Sequence, residues 1–144
     1  MIADGTPLAR ARAELNARCN AIEEAYEFML AYAGQGLASD SGSAKGSQVR
    51  DYLSMCDEAL EALTRFSAEF AATSTDDAGA PYRDFLAVID HDARNARAAV
   101  RLLLAQPSIS SQMVDNLNAS THLRAVLTDL FLVDEVLKTQ IKVG

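Results

Sequence analysis

Apolar residues recur along this chain at alternating steps of three and four, in four blocks. In the first, Leu15, Cys19, Ile22, Tyr26, Met29 and Ala33 fall on one face of an α-helix. Ala25, Phe28 and Tyr32 widen that face toward its C-terminal half. Thr6 and Pro7 form a start signal: a side-chain cap, then a residue whose missing N–H costs nothing at the first helical position. Gly34 and Gly36 end the block. The pattern predicts a helix over 7–35.

The second block carries Val49, Leu53, Cys56, Leu60, Leu63 and Phe70 on its main face and predicts a helix over 47–73, capped by Ser47. The third runs through Tyr82, Phe85, Ile89, Ala93, Ala96, Val100 and Leu103. With Pro81 in its first turn and Pro107 beyond its end, it spans 81–106. The fourth, over 109–142, is capped by Ser108 or Ser110. Its stripe is Ala119, Leu123, Val126, Leu130, Val133 and Leu137. Leu127, Phe131 and Leu132 broaden that stripe until the helix is apolar almost all round, the mark of an element covered on more than one side. Four such helices and no strand pattern predict an all-α fold: a single-domain, up-down-up-down four-helix bundle over 1–144. The connection Leu37–Gly46, rich in Gly and Ser, reads as mobile. It has neither the spacing nor the preceding strand of a phosphate-binding loop.

Composition changes this picture little. With 144 residues the chain can bury a core without disulfides or metals. Its net charge of −7 repels phosphate backbones, so nucleic acid is not an expected partner. No apolar run is long enough to span a membrane, and Met1–Thr6 lacks the features of a secretion signal. With only two cysteines, the expected compartment is the cytoplasm. In an antiparallel first pair of helices, Cys19 and Cys56 sit roughly 12 Å apart along the axis. A disulfide cannot close that gap, and both are expected as buried thiols.

Candidate chemistry is sparse. A di-metal bundle needs paired Glu-x-x-His motifs. The residue three before His91 is Val88, and three before His122 is Ala119. No metal or other cofactor is therefore expected. One polar stripe does stand out: Asp115, Asn118, His122 and Asp129 share a side of the last segment. Antiparallel register puts His122 level with Glu23 and Arg94, and His91 within about one turn of them. Glu23, Glu24, His91, Arg94, Asn118 and His122 are thus candidates for a mid-bundle ligand site, where a carboxylate beside a histidine could do acid–base work or hold a metal. Against this, His91 is two residues from the core position Ile89, a rotation of about 200° toward solvent. His122 borders its stripe as an ordinary polar flank would.

Without a complete catalytic constellation, the sequence favours a small cytoplasmic bundle acting through protein–protein interaction. An accessory or regulatory role would fit, with self-association as a homodimer through Leu127, Phe131 and Leu132. The alternative is a ligand- or metal-binding bundle, an enzyme included, using the Glu/His site.

Overall fold

A computed structural model of the chain describes residues 7–73 and 75–143, and the readings made for Met1–Thr6 lie outside them. Among the described residues there are five α-helices and no strand: α1 (Pro7–Ala33), α2 (Gly46–Thr73), α3 (Ala80–Leu104), α4 (Ser111–Ala119) and α5 (His122–Val143). α1 packs against α2, α4 and α5, and α3 packs against α2 and α5. One continuous core draws on all five helices, with Ile22, Met29, Leu60, Ile89, Val100 and Val126 wholly buried. Ala93 and Ala96 are wholly buried too, at the two small positions of α3.

The last segment, expected as one helix over 109–142, is two helices. Ser110 caps α4, accepting from the Met113 N–H at 3.1 Å. The helix then stops within the run Asn118-Ala119-Ser120-Thr121. The Ser120 hydroxyl donates to the Leu117 carbonyl at 2.6 Å, and its N–H turns back to Asn116 and Leu117. Short polar side chains compete in this way with the helical ladder. Thr121 follows in the left-handed region, at φ 67°, and its carbonyl accepts from Ala125 to start α5. Ala119, placed on the buried stripe by its spacing, is exposed at this break. Val114 and Leu117 carry the buried face of α4 instead.

The Leu37–Gly46 connection is not the slack tether its composition implied. Asp40 accepts from the Ile109 N–H with one carboxylate oxygen and from Arg50 Nε with the other, both at 2.8 Å. Arg50 spends its remaining donors on the carbonyls of Leu104 and Gln106. Ser108 donates to Ser39. Leu37 and Ser111 exchange two hydrogen bonds, and the Ser111 hydroxyl reaches the Tyr32 carbonyl at 2.6 Å. The buried Tyr32 hydroxyl closes the circuit on the Ile109 carbonyl at 2.7 Å. Two loops far apart in sequence are thereby joined at one end of the molecule. Gly46 sits so near the Asp40 carbonyl that a Cβ there would collide with it. α2 begins one residue earlier than expected, its first N–H bound by the Ser43 hydroxyl in the place foreseen for Ser47.

Leu130 is 2 % exposed. Leu130→Ala should lower unfolding stability by about 2–5 kcal/mol in a urea titration; a loss within error would take Leu130 out of the core. The hydrogen bond from Ile109 and the Arg50 guanidinium hold the Asp40 carboxyl below its ordinary range, against the opposing effect of burial. A depressed folded-state pKa adds stability that is present above the ordinary carboxyl pKa and lost as pH falls through the folded value. Asp40→Asn should therefore weaken acid-induced unfolding as a pH effect while exposing residues 37–46 to limited proteolysis. An unchanged cleavage pattern would show that the loop is held by other means.

Candidate functional site

Of the six residues expected to converge at mid-level, Glu24 is exposed on α1 and the other five do not meet. Glu23 is half-buried and accepts from Cys19 Sγ at 3.4 Å. His91 is exposed and contacts only Asn95, one turn along its own helix. Arg94 is exposed and bound to Asp90, again one turn away. His122 is exposed at the first residue of α5. Asn118 is buried; its amide N–H reaches the Met29 carbonyl at 3.3 Å while its Oδ1 has no partner among the described residues. No hydrogen bond or ion pair among the described residues joins any two of the five. The helix break accounts for part of this, since it separates Asn118 from His122. What the polar stripe does form is a shallow groove beside the break, where Asp115, Asn118 and Arg124 face Tyr26 of α1.

Among the described residues no group of three or more His, Cys, Asp or Glu side chains could hold a metal ion. Both cysteines are buried, unbridged thiols, as their spacing implied. Burial, aided by the hydrogen bond to Glu23, pushes Cys19 up to about 12. Burial, with a smaller push from the charge of Asp57, does the same for Cys56. Neither is a thiolate near neutral pH, so neither is a nucleophile as it stands.

The strongest electrostatic feature is one that the sequence half disclosed. Asp129 of α5, on the polar stripe, lies beside Asp92 of α3, and its Oδ2 is buried without a hydrogen-bond partner among the described residues. Burial first, then the hydrogen bond and charge of Asp92, push Asp129 up to about 7. A carboxyl so placed holds its proton to higher pH than an exposed one. The partner was not legible because Asp92 belongs to a different helix and has no distinguishing spacing of its own.

The outward face of α5 carries the other feature. Phe131 is 49 % exposed there, while Leu127 is buried in the core; Leu132 and Val136, 55 % and 40 % exposed, lie further round the helix, toward Tyr82 and Phe85 of α3. Arg124, Thr128, Phe131 and Glu135 follow one another at steps of four, three and four, and all are exposed. The Arg124 side chain makes no hydrogen bond or ion pair among the described residues. Glu135 has only a loose contact with Lys138 at 3.7 Å. Arg124 and Glu135 lie three turns apart on one face, a spacing that becomes meaningful only once a helix is known to present that face to solvent. Comparison with protein families, with curated proteins and with solved structures finds no match to this chain. Among the described residues no helix is long and apolar enough to cross a membrane.

A raised carboxyl pKa makes the folded state bind more protons than the unfolded one, so its contribution to stability is fully present below the ordinary carboxyl pKa and lost as pH rises through about 7. Asp40 and Asp134, both lowered, act in the opposite sense in the acid range. Stability should therefore decline from weakly acidic to weakly alkaline pH. Asp129→Asn should flatten that decline and raise the melting temperature on its alkaline side. An unchanged slope would mean that Asp129 does not hold its proton in the folded state.

Proposed function

We propose that the protein works by binding another protein, first of all a second copy of itself, through the outward face of α5. In this reading α4 and α5 together serve as the fourth arm of an up-down-up-down four-helix bundle, and the molecule acts as a cytoplasmic accessory or regulatory module rather than a catalyst. The observation that carries it is the exposed Phe131 on one face with Arg124, which has no partner among the described residues and lies at a self-complementary distance from Glu135.

The geometry is that of a two-fold antiparallel helix pair. With the axis passing between Asp129 and Leu130, Arg124 of each copy meets Glu135 of the other. Phe131 of each copy lies over Thr128 of the other, and the two Phe131 rings are about 4.5 Å apart along the helix axis. A two-fold interface repeats every contact twice, so a single charge pair and a single aromatic contact each count double. Phe131 supplies the kind of aromatic anchor that dominates binding energy, with the charge pairs at the rim fixing orientation. The cover removes the exposed Phe131 ring of each copy from water.

Sedimentation equilibrium at micromolar concentration tests this. The wild-type chain should sediment as twice 15.5 kDa, and Phe131→Glu as a 15.5 kDa species with its far-ultraviolet helical signal intact. Arg124→Glu should weaken the dimer, and adding Glu135→Arg should restore it. A wild-type monomer, or a charge swap that restores nothing, would sink the proposed pairing.

A further inference from the structure

Among the described residues, the end of the molecule opposite the joined loops is open. There the start of α1, the end of α2, the start of α3 and the later part of α5 leave a cavity of about 340 Å³. Four aromatic rings, Phe66, Phe70, Tyr82 and Phe85, line it together with aliphatic side chains, and none of its lining residues is charged. Tyr82 supplies the one polar side-chain atom. The cavity is at the lower end of the size range of small-molecule sites and far larger than a packing void. Water held there would find too few polar partners to replace its lost hydrogen bonds.

The cavity is not isolated. Leu8, Ala11, Phe66 and Phe70 also form a wall of a wider neighbouring groove between α1 and α2. That groove carries both signs of charge, Arg10, Arg18 and Arg65 beside Glu14, Glu69 and Asp76. Arg18 is engaged by Glu14 at 2.9 Å. Arg65 is not comparably engaged. Its carboxylate, Glu61, is 3.5 Å away and already binds Arg97 at 3.2 Å, and the Arg65 side chain is 65 % exposed. An uncharged apolar chamber thus adjoins a cation with spare donors, next in sequence to the shared wall residue Phe66.

We infer that this open end binds a single-chain aliphatic carboxylate, a fatty-acid-like molecule, with its chain in the cavity and its head group at Arg65. The chain displaces poorly bound water from an aromatic and aliphatic lining. The carboxylate stays in the groove, where Arg65 can hold it with two parallel hydrogen bonds and solvent can reach it. The α5 pairing plays no part in this binding.

The test uses the full chain and displacement of the fluorescent apolar probe N-phenyl-1-naphthylamine. The competitors are octanoate, decanoate, dodecanoate and dodecanol, each below its micelle concentration. Displacement should saturate at one molecule per chain and tighten about three- to fourfold per added methylene until the cavity is full. Dodecanoate should bind more tightly than dodecanol, and Arg65→Gln should remove that difference without altering the alcohol. Ala11→Leu and, from the facing wall, Val136→Phe should each weaken every competitor at least tenfold while the helical signal is kept. Leu102→Ser, on an exposed part of α3, should change nothing. Failure of all competitors to displace the probe would overturn the inference. So would binding that neither saturates nor responds to the two filling variants. Equal affinity for dodecanoate and dodecanol would overturn the carboxylate assignment. Phe131→Glu should leave displacement intact, so the α5 pairing and this site stand or fall separately.

Discussion

Asp40 holds this fold at its one fully closed end. Its two carboxylate oxygens take the backbone N–H of Ile109, a buried residue near the end of the α3–α4 loop, and the guanidinium of Arg50 from α2. Arg50 in turn covers the carbonyl of Leu104, the last residue of α3, which the helix cannot satisfy internally, and that of Gln106 in the loop beyond it. A single carboxylate therefore coordinates α2, the end of α3 and both loops. Around it, Tyr32 and Ser111 tie the end of α1 to the start of α4. Buried polar networks of this kind are high-stakes, because each member left unpaired costs desolvation that water no longer repays. Here the backbone groups are matched, and the aromatic layer of Phe28 stacked on Tyr52 at 4.2 Å lies just inside.

The core of this arrangement was legible from spacing alone. Leu123, Val126, Leu130, Val133 and Leu137 recur at helical steps and all are buried. The breaks were harder to read. Ser120 and Thr121 do not interrupt the apolar period strongly enough to be seen as a stop, because the residues on either side keep nearly the same phase. Their effect lies in hydrogen bonds that the hydroxyl of Ser120 makes to its own helix and in the left-handed turn at Thr121. The loop at 37–46 was misread for the reverse reason. Gly and Ser permit flexibility, but Asp40 and Ser39 are anchored by partners about seventy positions away, which no local pattern reveals.

The candidate site shows the same divide. His91 and His122 attracted attention as rare titratable residues, yet rarity carries no geometry, and both face solvent. Asp129 was on the correct stripe, but its chemistry depends on Asp92 across the helix interface. Phe131 and Leu132 were legible as excess apolar surface. Leu127 was not separable from them in sequence, since one more step around the helix turns it from surface into core. The end cavity left no signature at all. Its aromatic residues sit at ordinary helical spacing, and only the divergence of the four helix ends leaves them facing empty space.

The unequal fastening of the two ends orders the way the molecule opens. Amide groups near Tyr32, Ile109 and Ser111 are linked to side chains on several elements at once, so a fluctuation that frees one must loosen the others. Solvent reaches them through cooperative opening. At the opposite end, α1, α2, α3 and α5 meet around a cavity, where apolar side chains face space that no core atom fills. Local opening free energies in such a molecule form a gradient along its long axis, lowest where the cavity lies. An occupant that bridges the four helix ends would act as a missing piece of core, raising protection there and leaving the joined end almost unchanged.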